Sequence, residues 1–253
     1  MTHTFMHHTF MPKTIMTGTI TRCLIALLLS FSSQALLAAP ASKIQASFDV
    51  IGFGMTLANM SETYTRTQDS YQVESMTKAV GLLARIKPET VLISSNGKIT
   101  AQGLLPLNFS LIREIDKEKS ASTKFNWETS VLTHIDYKGV NDMPLPKGTQ
   151  DRLSLLYHLP IIIKSAQTEF KFSISDGNNL QAYSFTLSAG EQNVQVPLGT
   201  YKTRYISNTP SGDQVKYEIW LATDYDYFPC KIIVTDSSGG KLTQVLTALT
   251  ITP

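Results

Sequence analysis

The chain of 253 residues carries 22 basic and 20 acidic side chains, with 42% hydrophobic and 9% aromatic residues. So even a balance leaves no clustered positive field of the kind that nucleic acid or an anionic surface requires. No nucleotide loop, metal-ligand cluster or catalytic constellation is present either, so the sequence predicts no metal, no cofactor and no catalytic residue.

Residues 1–41 read as a secretory signal peptide. They contain no Asp or Glu, carry Lys13 and Arg22, and run through Cys23–Leu29 toward small residues at Ala39 and Ala41. The apolar run is shorter than the roughly 20 residues of a membrane-spanning helix, so no transmembrane segment is expected in the mature chain. Cleavage after Ala41 removes both basic residues and no acids, which leaves a net charge of zero. The expected product is a soluble exported protein. It retains Cys230 as its sole cysteine, which rules out an internal disulfide and suits a buried thiol in the strand after Pro229.

Residues 42–253 contain no linker and are expected to form a single antiparallel β domain. Ile44, Ala46, Phe48 and Val50 alternate, and the apolar phase then slips at Gly52 and Gly54, which predicts a bulge in one long strand. Strands follow near Thr63–Thr67 and Tyr71–Thr77, then a helical turn at Ala79–Leu83. Asn96-Gly97, between Val91–Ser95 and Lys98–Gln102, predicts a tight hairpin. Leu105–Leu111 and Val131–Tyr137 alternate, Arg113–Lys119 reads as a solvated loop, and Asn141–Gly148 as the connection to a helix.

That helix is predicted over about 149–159. Thr149 is the expected N-cap, Asp151 falls in the first turn, and Leu153, Leu156 and Tyr157 make an apolar face that Pro160 ends. Leu155 and Leu159 widen the face, so the helix should be covered on most sides. Beyond it, period-two strands recur from Phe170 to Leu221, and Lys231–Val234 is expected to pair with Leu242–Ile251 through Ser237–Gly240. The predicted fold is mainly β: a strongly curved antiparallel sheet or incomplete barrel with this one principal helix on its concave face.

Asp151, Ser154 and His158 share a helical face, but side chains in a row on one helix do not converge on a substrate atom. Asp151 and His158 are therefore a candidate polar site without assigned chemistry. Trp127, Tyr157, Trp220, Tyr225 and Tyr227 are the candidate ligand-binding residues, the last two forming an aromatic-acidic rim with Asp224 and Asp226.

Thr149-Gln150-Asp151-Arg152-Leu153-Ser154-Leu155-Leu156-Tyr157, Ile219-Trp220-Leu221-Ala222 running on to Phe228-Pro229-Cys230-Lys231-Ile232, Phe125-Asn126-Trp127 and Pro197-Leu198-Gly199-Thr200-Tyr201 together resemble the DUF3108 family of exported bacterial proteins. The resemblance implies an envelope location and an antiparallel β fold, and it brings no catalytic residues. The closing pattern of aromatic strand, acidic turn, proline and basic-apolar strand is also similar to periplasmic lipoprotein carriers and to a capsule-associated lipoprotein group, in which a sheet wraps around helices. The chain lacks the lipobox cysteine of the latter.

The expected function is non-enzymatic: binding of an apolar or amphiphilic envelope ligand, such as a lipid, an acyl chain or a polysaccharide, in the curved sheet. The alternative is an assembly factor that binds an envelope protein through a sheet edge or the Asn141–Gly148 loop. An envelope hydrolase ranks last, with Asp151, His158, His134 and Cys230 as its only candidates.

Overall fold

A computed structural model describes residues 42–253, so the expected leader lies outside the described residues. Fifteen strands form one sheet. The first eight are β1 (Lys43–Gly52), β2 (Met55–Arg66), β3 (Ser70–Ala79), β4 (Thr90–Thr100), β5 (Gly103–Arg113), β6 (Ala121–Asn126), β7 (Val131–Asp136) and β8 (Gly139–Pro144), with a short helix α1 (Gly81–Ile86) between β3 and β4. A two-residue strand β9 (Gln150–Asp151) and helix α2 (Ser154–Ile162) follow. The chain returns through β10 (Glu169–Ser175), β11 (Leu180–Val196), β12 (Gly199–Asn208), β13 (Lys216–Ala222), β14 (Phe228–Thr235) and β15 (Lys241–Thr252).

Every neighbour pairs antiparallel except β9 with β10, and β1 pairs with β15, so two meanders run outward from the middle of the sheet. Their outer strands, β8 and β9, are consecutive in the chain yet stand at opposite edges. The sheet therefore curls until its ends meet, but no backbone ladder closes it. The mainly β, curled-sheet expectation holds.

Local sequence signals misplaced two turns. At Gly52–Gly54 the chain makes a two-residue hairpin and not a bend in one long strand: Gly52 pairs with Met55, and Phe53 and Gly54 both have positive φ, at 52° and 77°, while the expected bulge lies beside the turn, where β1 and β2 shift register between Val50 and Ile51. Such a turn matches the strand twist, but it puts a bulky residue in a conformation L side chains rarely adopt. Asn96-Gly97 instead lies inside β4, where β5 crosses it with a bulge. Glycine is needed there for close approach, because a Cβ on Gly97 would stand 2.2 Å from the Leu105 carbonyl oxygen and 2.9 Å from the Tyr71 ring. The actual turn is at Ala101-Gln102, closed by Thr100, whose hydroxyl donates to the Gly103 carbonyl at 2.9 Å. Gly97→Ala is expected to cost about 2 kcal/mol, since backbone must move to admit the methyl. Urea unfolding followed by tryptophan fluorescence measures this, and an unchanged midpoint would show that the two strands separate freely.

The helix begins later than predicted and passes through its expected stop. Gln150 and Asp151 pair with Ile174 and Ser175 of β10, while the Thr149 hydroxyl donates to the Pro146 carbonyl at 2.7 Å and caps nothing. Asp151 takes over the capping role, its Oδ1 accepting from the Leu153 and Ser154 amides at 2.9 and 2.7 Å. Pro160 lies inside α2 and has no N–H for the Leu156 carbonyl. Tertiary packing carries the helix past it. Leu155, Leu159 and Ile163, spaced by four, pack with Phe185 and Ile219, while Leu153 and Tyr157 join the cluster of Phe48 and Phe109. Burial of each such leucine is worth roughly 1.5–3 kcal/mol, enough to offset one lost helical hydrogen bond.

Candidate functional site

Because the strands alternate in direction, the β1–β2 and β7–β8 hairpins, α1, the β5–β6 connection and the β14–β15 turn all lie at one end of the curled sheet. Helix α2 runs toward the opposite end, where Lys164 pairs with Asp226 in the β13–β14 turn at 2.6 Å. The hairpin end is left incompletely filled and holds a cleft of about 300 Å³. Val50, Met60, Ile93 and Ile232 form apolar walls, Leu153, Leu155 and Leu156 of the α2 region line it, and Val234, Leu242 and Gln244 line its β14–β15 side. At the same end Phe53 is 90% exposed, Leu82 63% and Ile86 74%, so the approach is apolar too.

Two charged residues interrupt the walls. Glu62 occupies an inward position of β2, in phase with Ala58, Met60 and Tyr64, and is 4% exposed. Burial raises its pKa from 4.5 to about 7, against the opposing effect of the Tyr157 hydroxyl. The Tyr157 hydroxyl donates to Oε1 at 2.6 Å, while Ser75 Oγ has no partner within hydrogen-bond range. Arg152, between β9 and α2, lines the cleft with Nε sealed from solvent and without an acceptor. Its guanidinium lies over the Phe109 ring at 5.9 Å and takes part in no ion pair among the described residues. Arg113, also in the lining, stands 3.7 Å from Glu89 and 3.9 Å from Asp116.

Behind the cleft a buried polar seam holds the curled ends together. Ser95 of β4 donates to Asp151 Oδ2 at 2.6 Å, which leaves its oxygen to accept from Tyr71 at 3.2 Å. Ser154 Oγ donates to Gln150 Oε1, and Gln150 Nε2 donates to the Leu104 carbonyl, both at 2.9 Å. The Leu104 amide donates to His158 Nδ1 at 3.1 Å, which places the ring proton on Nε2. Ser175 of β10 meets Thr123 of β6 at 3.2 Å and His134 of β7 at 2.9 Å.

This seam accounts for the candidate polar site. Asp151 is a cap and a stitch, its carboxyl raised above the ordinary range by burial and held back by donors from Ser95, Ser154 and Leu153. Burial lowers His158 to about 4, so it is a neutral acceptor. Ser154 and His158 share no hydrogen bond, and the Asp151–Ser154–His158 row makes no triad. Burial also lowers His134, while it pushes the Cys230 thiol, which is buried, up to about 11. Among the described residues no group of three or more His, Cys, Asp or Glu is placed to hold a metal ion.

The five aromatic candidates do not converge. Tyr157 reaches the cleft region through Glu62, stacked on Tyr64 at 4.5 Å. Trp127 donates to the Pro106 carbonyl at 2.6 Å and stacks on Phe125. Trp220 lies between its cross-strand neighbours Tyr205 and Lys231 on the outer face, opposite in phase to buried Ile219 and Leu221. Tyr225 and Tyr227 sit in the β13–β14 connection at the end away from the cleft, the former edge-on to Tyr201. Sequence reasoning missed Glu62 and Arg152. The first carried a signal, a carboxylate in the apolar phase of a strand; the second carried none beyond its place in the TQDRLSLLY stretch.

A curled antiparallel sheet with an internal helix and an apolar cleft at one end defines a β-barrel-like fold. The chain belongs to the DUF3108 family, described as a protein of unknown function, whose family model matches residues 43–247. The fold is similar to the crystal structure of a beta-barrel-like protein of domain of unknown function DUF1849 from Brucella abortus, with a TM-score of 0.56 at 12% identity over 84% of this chain and 99% of that one. No curated protein matches the sequence. No helix among the described residues is long and apolar enough to cross a membrane.

Proposed function

We propose that this is a non-enzymatic protein of the bacterial envelope that holds an apolar or amphiphilic ligand in the cleft between α2 and the concave sheet. The observation that carries this reading is the cleft itself: about 300 Å³ with mainly apolar walls, interrupted by a buried carboxyl and a guanidinium without an ion-pair partner. That volume is at the lower bound of ordinary ligand pockets, roughly 300–1,000 Å³, and fits one chain better than a bulky lipid. Exposed Phe53, Leu82 and Ile86 at the same end give an apolar molecule a path that avoids water. The leader-like residues 1–41 support export.

Native mass spectrometry of protein purified from periplasm without detergent, followed by organic extraction, tests the reading. A bound amphiphile, or low-micromolar binding of the uncharged probe N-phenyl-1-naphthylamine, is expected. Leu156→Trp should fill the cleft and weaken probe binding at least tenfold. A clean apo mass together with no probe fluorescence would remove the basis for the proposal.

One observation favours a second reading, a protein partner. Strand β8 is a sheet edge, and every residue of Gly139–Pro144 except Met143 is exposed. An extended segment of an envelope protein would add there as a further strand. Crosslinking from residue 141 in cells should then trap a protein, and recovery of monomer alone would count against it.

A further inference from the structure

We infer that the cleft selects single-chain amphiphiles with an anionic head, and that Arg152 receives that head. This rests on the cleft being a ligand site and names the class of ligand it takes. A guanidinium presents five N–H donors in a planar fork, and burying any of them without an acceptor is costly. Arg152 lines the cleft, its Nε is sealed from solvent without an acceptor, and among the described residues no hydrogen bond or ion pair engages the rest of its guanidinium.

The nearby carboxylates are engaged elsewhere. Asp151 accepts from Ser95 and from the Leu153 and Ser154 amides, and Asp176 accepts from the Asn178 and Asn179 amides in its own turn. The Phe109 face supports the cation without supplying an acceptor. Burial is the main penalty on the Arg152 charge; Asp176 and Asp151 act favourably on it from a distance, and Arg113, which lines the same cleft, acts against it. An anionic oxygen pair in the cleft gives the terminal Arg152 nitrogens acceptors and relieves that repulsion.

The rest of the cleft suits a chain, not a second charge. Val50, Met60, Leu153 and Ile232 form an apolar lining. Glu62 does not oppose an anion below neutrality, because burial raises its pKa to about 7 and Tyr157 donates to it. Carboxylates and phosphates offer a guanidinium the same forked pair of oxygens, so the chemistry shared by the two is what Arg152 recognises.

Calorimetric titration of delipidated protein at pH 6.5 with laurate, dodecyl phosphate and 1-dodecanol, each below its aggregation limit, tests this. At least one anionic ligand is expected to bind ten times or more tightly than dodecanol, and the ratio of laurate to dodecyl phosphate identifies the head. Arg152→Gln should remove that preference, so that neither anionic ligand binds more tightly than dodecanol. The wild-type comparison of three ligands decides the matter even if Arg152→Gln does not fold. If dodecanol binds as tightly as both anions, the anionic assignment falls and the amphiphile site stands. If none of the three binds or displaces N-phenyl-1-naphthylamine, both fall together.

Discussion

Asp151→Ala is expected to destabilise the protein by roughly 3 kcal/mol or more, counting about 1 kcal/mol for each buried donor left without its acceptor. Three donors depend on this carboxylate: the Ser95 hydroxyl from β4 and the Leu153 and Ser154 amides that begin α2. The residue is fully buried, and no water replaces the lost oxygens without opening the seam. The loss combines three failures, of the helix cap, of the contact between β9 and β4, and of the acceptor that orients Ser95 toward Tyr71. Asp151→Asn keeps an oxygen for the two amides, so it should cost only about 1 kcal/mol. Urea denaturation of both variants at pH 7 gives the comparison. An alanine variant within 1 kcal/mol of the parent would mean that packing alone holds the curled ends together.

The physical basis of that prediction also separates what the sequence reveals from what it conceals. Period-two alternation is a local property, so strands such as β13, with Ile219 and Leu221 inward and Trp220 outward, are legible residue by residue. The meander follows from short connections, and the closing pair β14–β15 was visible in its turn at Ser237–Gly240. What was not legible depends on long-range approach. Gly97 looks like a hairpin residue because Asn-Gly usually is one, and only the crossing of β5 at Leu105 explains the glycine. Pro160 looks like a stop until Leu159 and Ile163 are seen buried on either side of it. Thr149 and Asp151 both carry helix-start signals, but pairing of Gln150 and Asp151 with β10 shifts the start to Ser154.

The candidate site was less legible than the fold for the same reason. Aromatic residues draw attention in a sequence, yet Trp127, Trp220, Tyr225 and Tyr227 are spread over the outer face and the far end. The cleft is made by common residues whose proximity depends on curling, with β2 and β3 on one side and β14 and β15 on the other. Glu62 and Arg152 lie 90 positions apart in the chain and meet one cavity only because the sheet curls around the helix. The polar seam fixes where the helix enters, and so the same hydrogen bonds that hold the ends together set the depth of the cleft.

Glu62→Gln is expected to make the protein more stable above neutrality. The folded pKa of Glu62 is about 7 against an ordinary value of 4.5, so between those values the folded state holds a proton that the unfolded state has released. Stability therefore falls as pH rises through this window and levels off above it. The displacement is worth roughly 3 kcal/mol, at about 1.4 kcal/mol for each tenfold change in proton affinity. Glutamine removes the titration while its carbonyl oxygen still accepts from the Tyr157 hydroxyl, a contact of 2.6 Å in the parent. Unfolding free energies of the two proteins should thus agree near pH 4.5 and diverge toward pH 8, with the variant ahead by roughly 3 kcal/mol. Asp151 is also raised by burial and tilts both curves the same way, so the difference between them isolates Glu62. Parallel curves across the whole range would show that water reaches the carboxylate inside the cleft and that its wall is wetter than its apolar lining implies.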